Sequence, residues 1–531
     1  MEKRVAVIGA GVGGLAASKA CLEEGLLPFV YEKGDKIGGL WNYDGTEWTD
    51  STGPHVYKSL VTNTSKELTA FSDFPFPEDW APYLTHQQVL QYLHMYADHF
   101  NLRKHIQFHH EVTQIEKAWD YDVTGKWLVH VESDGLQKEE TFDYVIICTG
   151  FFSKAAIPSY PGLENFGGIV IHSNQYRTHD KFVDKNVLVV GNSFSAGDVA
   201  VDVSTYSKQV YLSMRDGCFV FPKRGAGGWP IDVVTNTRWR LSLPEWLNRM
   251  IFQRFLEKDV NYEALGLKTK RKLFHSKVIA NDFILNQIIH GKVKTRPGIK
   301  MFFDHGVEFE DGTRLEDVDA IVFGTGYALT TPFISDDILS DDIETREVYK
   351  YILPARLKHN TLACVGLLAF HGSAIPGLEL QSRWATRLFR GDLVPPRLPE
   401  ILGSIEAQRQ AMYDRFGKHG IWVTTAYYCD DLAADIGCLP SLLSLAFSDP
   451  VLALHMLLSP AVPPTYRLVG PKSWNGAREA VMKCWEKNIS GTRGRVVESS
   501  RKESGTYLKL VILAFVLLLS ALAMTYFFGI R

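Results

Sequence analysis

Cysteine is scarce in this chain: seven residues in 531, at Cys21, Cys148, Cys218, Cys364, Cys429, Cys438 and Cys484. None of the spacings is CxxC or CxxxxC, and the number is odd. This excludes a disulfide framework, a redox-active dithiol and a thiolate zinc site, and it fits free thiols in a reducing compartment. No metal centre is expected. An excess of charge is also missing, with 57 Lys and Arg against 60 Asp and Glu, a net of −3. There is no basic stripe for a phosphate backbone to neutralise, so nucleic acid is not an expected partner. The sequence has no tandem repeat and no low-complexity stretch. It also has no leader-like segment at its start, because the apolar run Val5–Ile8 meets a glycine turn after four residues. The folded mass is therefore not expected to be secreted.

What the sequence does contain begins with one long apolar run. Leu510 to Ile530 carries no charge and would reach about 31 Å as a helix, the thickness of a bilayer's hydrocarbon core. Arg493, Arg495, Arg501, Lys502 and Lys509 precede it and only Arg531 follows. That asymmetry keeps the large N-terminal part in the cytosol and predicts a single-pass tail anchor over 507–530. The sequons at Asn63 and Asn488 would then never meet glycosylation enzymes.

A strand, small-residue turn and helix occur twice. In the first copy Val5–Ile8 leads into Gly9-Ala10-Gly11-Val12-Gly13-Gly14, then a helical run, then a strand PFVYEK that carries Glu32 near its end. Glycine at 9 permits the tight turn, at 11 the approach of a pyrophosphate, and at 14 close helix packing. The helix N-terminus presents unpaired N–H groups to the phosphates, and Glu32 can accept from ribose hydroxyls. A second glycine turn, Gly38-Gly39-Leu40-Trp41, follows the second strand, where many FAD enzymes wrap their cofactor; apart from that position it reads equally as an aromatic-capped turn.

The second copy runs from Asn186–Val190 through Gly191-Asn192-Ser193-Phe194-Ser195-Ala196-Gly197-Asp198 to a strand ending near Arg215. Ser193 and Ala196 stand where glycine is usual, so a less close approach of phosphate is expected. Arg215 occupies the place of the acid that selects NAD and can pair with a 2′-phosphate, which favours NADPH, unless it is a solvated strand-end charge. Lys223 or Arg224 could share that role. Two strands ending in Thr-Gly, Tyr144–Gly150 and Ala320–Tyr327, mark domain crossings.

Between the two turns lies Phe166-Gly167-Gly168-Ile169-Val170-Ile171-His172-Ser173-Asn174-Gln175-Tyr176. This segment resembles the FxGxxxHxxxY fingerprint of class B flavoprotein monooxygenases. Tyr57–Glu67, Phe74–Pro77, Glu379–Ala385 and Tyr466–Pro471 with Trp474 and Gly476-Ala477-Arg478 are similar to segments of the animal microsomal flavin-containing monooxygenases. The similarity runs from the first strand to the apolar tail. It departs at Ser193, at Ala196, and at Phe283, where an acid commonly follows Asn281-Asp282; the last change puts the substrate channel in question.

The resemblance implies an α/β fold of two Rossmann-like domains, the second inserted in the first, with a helical insertion and a C-terminal transmembrane helix. Residues 1–155 would form the first part of an FAD domain and 156–330 an NADPH domain with a helical insertion at about 216–295, a lid or membrane-facing element. Residues 331–445 would complete the FAD domain, 446–506 form a linker segment, and 507–530 span an endoplasmic reticulum membrane.

FAD would lie on Gly9, Ala10, Gly11, Val12, Gly13, Gly14, Glu32, Gly39, Leu40, Trp41, Asn63 and Thr64. NADP would lie on Thr62, Asn63, Gly191, Ser193, Ser195, Ala196, Gly197, Asp198 and Arg215. Phe166, Gly168, His172 and Tyr176 would support the domain junction, although His172 also reads as an ordinary buried histidine. Asn63 is the candidate oxygenation residue, since its amide can both donate and accept.

The implied chemistry is NADPH-dependent reduction of FAD, capture of O₂ as a C4a-hydroperoxide, and oxygen transfer to soft nitrogen or sulfur nucleophiles of small lipophilic compounds. Baeyer–Villiger insertion into ketones, an uncoupled oxidase releasing peroxide, and a non-catalytic flavin-binding protein remain the alternatives. The sequence leaves room for a homo-oligomer.

Overall fold

The computed structural model describes residues 2–43, 45, 55–417 and 420–494. Strand β1 (Arg4–Ile8) is buried along almost its whole length, as a central strand covered on both faces must be: Val5 and Val7 pack among helices, and Ala6 and Ile8 pack against a three-stranded antiparallel sheet at 111–142. It turns into α1 (Val12–Glu23), whose small residues let it lie close to the sheet. β2 (Leu27–Glu32), β3 (Ile106–Phe108) and β4 (Tyr144–Ile147) follow.

The chain then builds β5 (Ile169–His172), β6 (Asn186–Val190), α2 (Phe194–Ser204) and β7 (Gln209–Ser213). An excursion of short helices and irregular segments contains α3 (Ile231–Thr235) and α4 (Glu245–Glu257). β8 (Val293–Arg296) and β9 (Ala320–Phe323) return to the sheet, before β10 (Leu362–Cys364) and α5 (Ile375–Arg390).

Two five-stranded parallel sheets result, in the orders β10-β4-β1-β2-β3 and β8-β7-β6-β9-β5. β10 joins the first sheet beside β4 only after the whole second sheet is complete, with Leu362 opposite Val145. The chain passes between the sheets twice, and the two passages pair antiparallel, Lys154–Ala155 with Tyr327–Ala328. α5 packs along α1, so the segment beyond the second sheet closes the core of the first. α4 carries apolar side chains outward, Trp246 at 60 % exposure and Ile251 at 40 %.

Among the described residues no helix is long and apolar enough to cross a membrane. The apolar run over 507–530 lies outside the described residues.

A nucleotide cleft as candidate active site

Glycine geometry builds the first cradle. A Cβ on Gly14 would stand 1.8 Å from the Gly9 carbonyl oxygen, so only glycine lets α1 start this close to the turn. A Cβ on Gly39 would meet the Gly11 Cα at 3.1 Å; the two glycine turns therefore face each other at backbone distance. One hydrogen bond joins the turns and a second ties the first of them to the end of β2. Gly38 N donates to the Ala10 carbonyl at 3.0 Å, and Ala10 N donates to a Glu32 carboxylate oxygen at 2.8 Å. The other Glu32 oxygen accepts from Gly34 N at 2.8 Å. Each oxygen keeps a lone pair for a ribose hydroxyl.

One cleft of about 2480 Å³ runs between the sheets. A single small-molecule site spans up to about 1,000 Å³, so there is room for two nucleotides and a substrate. Gly9, Gly11, Val12, Gly13, Glu32, Gly39, Leu40, Trp41, Thr62, Asn63 and Thr64 line it, together with His172, Gly191, Ser193, Ser195 and Arg215. The two turns at the N-termini of α1 and α2 thus open into one space, with Asn63 exposed to it.

Other expected residues do not line the cleft. Ala10 and Gly14 lie behind the first turn. In the second turn Ala196 is 1 % exposed, and its methyl lies where a Cβ on Gly324 would stand, 2.8 Å away. The expected loosening of the phosphate approach by Ala196 is therefore corrected: its side chain points into the fold, and only Ser193 faces the cleft. Gly197 packs on Ile279. The Asp198 carboxylate accepts from Tyr57 Oη and from Asn281 Nδ2, the latter at 2.8 Å. Burial raises its pKa, and it serves as an internal anchor where a cofactor contact was expected. Phe283 is 63 % exposed at the outer start of a helix and does not line the cleft; the question it raised for the substrate channel falls away.

The fingerprint residues divide in the same way. His172 reaches the cleft, with Nδ1 3.0 Å from Asn174 Oδ1, and burial lowers its pKa. Phe166 sits in the outer core of the second sheet. A Cβ on Gly168 would collide with the Asp319 carbonyl at 2.4 Å. Tyr176 Oη donates to Asp202 at 2.7 Å.

The site also contains residues that sequence reasoning passed over or placed elsewhere. Lys223, weighed above as a phosphate ligand, donates from Nζ to the Thr62 carbonyl at 3.0 Å. Asp232 is 6 % exposed and lines the cleft; burial pushes its carboxyl up to about 6. His371 lines the wall, its pKa lowered to about 3 by burial and by Arg415 and Lys277. No spacing rule links these three to the nucleotide turns; only the fold brings them together.

The residues present fit a pyrophosphate-bearing cofactor in each turn. The backbone is bare where glycine is required, a helix N-terminus faces each approach, an acid stands by the first ribose position, and Arg215 borders the second turn.

Comparison with known proteins agrees with this geometry. The family model described as flavin-binding monooxygenase-like matches residues 2–527. Flavin-containing monooxygenase 5 of Oryctolagus cuniculus is 39 % identical over 94 % of this chain and 95 % of its own. Dimethylaniline monooxygenase [N-oxide-forming] 2 of Rattus norvegicus is 37 % identical over 96 % of each. Among solved structures, S-allyl-L-cysteine S-oxygenase from Allium sativum superposes with a TM-score of 0.63 at 25 % identity, covering 85 % of this chain and 94 % of that one. NADP⁺-bound cyclohexanone monooxygenase from Rhodococcus sp. Phi1 shares the fold, with a TM-score of 0.56 at 19 % identity, covering 82 % and 98 %.

Proposed function

The chain belongs to the flavin-binding monooxygenase-like family, an FAD-containing and NADPH-dependent oxidoreductase, and from that premise we propose that it oxygenates soft nitrogen and sulfur nucleophiles of small lipophilic compounds. The observation that carries the reading is the single cleft onto which both nucleotide turns and Asn63 open. The names of an N-oxide-forming relative and of an S-oxygenase with the same fold support the choice of nucleophile.

When bound, the flavin supplies activation of dioxygen at its C4a carbon and NADPH the hydride. The protein's contribution is binding, orientation and exclusion of water. The N-terminus of α1, facing Gly39, would hold the FAD pyrophosphate, with Glu32 on its ribose. Ser193, Ser195 and the N-terminus of α2 would hold the nicotinamide nucleotide's phosphates, and Arg215 its 2′-phosphate. The Asn63 amide would donate to a reacting oxygen and accept from a neighbouring N–H. Overall, a thioether, O₂, NADPH and a proton yield a sulfoxide, NADP⁺ and water.

We also infer that 507–530 anchors the chain in the endoplasmic reticulum membrane with the folded part in the cytosol; alkaline carbonate extraction of the full chain, set against one ending at 506, tests this.

The test of the activity is turnover of methyl phenyl sulfide under ¹⁸O₂. One labelled sulfoxide oxygen for each NADPH consumed is expected. Peroxide released for each NADPH without sulfoxide would mean an oxidase. Lactone from a cyclic ketone, with the thioether untouched, would mean Baeyer–Villiger chemistry.

A further inference from the structure

Asn63 sits at the apex of a turn, and the structure shows what grips that turn from the opposite wall. On its own side the Val61–Ser65 segment is tied to Leu84: Thr62 N donates to the Leu84 carbonyl at 2.8 Å, and Leu84 N donates to Thr62 Oγ1 at 2.9 Å. Across the cleft the partners come from the excursion of the second half. Lys223 Nζ donates to the carbonyls of Thr62 at 3.0 Å and Val61 at 3.4 Å. Asp232 Oδ2 accepts from Ser65 N at 2.6 Å, and Oδ1 accepts from Val233 N at 3.0 Å.

One closed loop presents both charges. Ile231 N donates to the Lys223 carbonyl at 3.0 Å, Gly225 N donates to Trp229 O at 2.6 Å, and Arg224 bridges to Pro230. Tyr83 Oη secures the same Lys223 carbonyl at 2.6 Å, with the ammonium 5.3 Å from its ring centroid.

We propose that Lys223 and Asp232 are positioning residues for the oxygenation step: one holds the carbonyls of Val61 and Thr62 before Asn63 and the other the Ser65 N–H two residues after it, so the excursion sets where the Asn63 amide stands. The proposal rests on the role given to Asn63 above. Burying a charge is costly unless it is hydrogen-bonded. Here two opposite charges are each satisfied by backbone atoms of the same five-residue turn, and side-chain charge bonds to backbone are strong and directional. A group that is 1 Å out of place can cost about 10²-fold in rate. The clamp therefore links the wall that carries the second nucleotide turn to the residue facing the reacting atoms.

The test uses full-chain holoenzyme carrying Asp232→Ala, Asp232→Asn or Lys223→Met, with hydrogen exchange of the 61–66 backbone, anaerobic flavin reduction by NADPH, and the products from methyl phenyl sulfide as readouts. Asp232→Ala and Lys223→Met are expected to speed exchange about tenfold or more, as each removes at least one charge-assisted bond to the turn. They should lower sulfoxide kcat by about 10- to 100-fold and divert NADPH to peroxide, while KM for NADPH and the rate of flavin reduction stay near wild type. Asp232→Asn keeps an acceptor oxygen and should retain most coupling.

Wild-type exchange and coupling in FAD-replete variants would overturn the proposal, as would a parallel fall of reduction and oxygenation. If Asp232→Ala does not fold, Lys223→Met and Asp232→Asn decide. If the wild-type enzyme forms no sulfoxide, the functional reading fails, and exchange at 61–66 still decides whether the clamp exists.

Discussion

Arg467 is 1 % exposed and meets Glu379 at 2.9 Å, Asp73 at 3.2 Å and Glu23 at 3.2 Å, while Lys19 reaches Asp73 at 2.5 Å. Burial raises the Glu379 pKa, but Arg467, Lys19 and Arg383 outweigh it and hold the carboxyl well below its usual range. The cluster ties α1, α5 and the 463–467 segment together. Glu379→Gln leaves Arg467 short of a buried partner and should cost about 3–5 kcal/mol in chemical denaturation.

His371 shares with the paired Glu379 carboxylate a pKa held below its usual value, here because burial disfavours the charged ring. Its folded pKa lies near 3 against about 6.5 unfolded. The stability it preserves as a neutral ring is therefore complete above pH 6.5 and is lost as pH falls toward 3. Melting temperature should decline from pH 6.5 to 5 in the wild type, and the decline should be shallower in His371→Gln.

At the scale of elements, the two strand-turn-helix units were legible because each glycine or small residue answers a local steric demand. Gly14 against the Gly9 carbonyl is the strongest case, and Gly14→Ala should yield protein that no longer retains FAD through gel filtration, read from absorbance at 450 nm. The second turn was legible only in outline. The spacing placed Ala196 beside the phosphates, but its orientation depends on Gly324, 128 positions along the chain. Asp198 misled for the same reason: the turn motif identified its position on α2, while Tyr57 and Asn281, which satisfy its carboxylate, lie far away in sequence. Lys223 stands on an irregular segment and Asp232 on the five-residue α3, both too short to show a period, and the turn they grip is more than 150 residues earlier.

At the scale of the whole molecule, the return of the chain to its first sheet through β10 places the segment beyond 331 against α1 and leaves the second sheet as a unit reached by two adjacent crossings. Thr149-Gly150 and Thr325-Gly326 stand just before the two paired segments. The cleft between the sheets was not legible as a volume, since its lining comes from loops of both halves.

Both nucleotides and Asn63 are proposed to work in that one space. Stopped-flow absorbance tests it directly: holoenzyme is reduced anaerobically with NADPH and then mixed with O₂, with and without methyl phenyl sulfide. A bleached flavin is expected, then a species that persists after O₂ is added and decays promptly to oxidised flavin and sulfoxide when the thioether is present. Immediate return to oxidised flavin with stoichiometric peroxide, unchanged by the thioether, would contradict it.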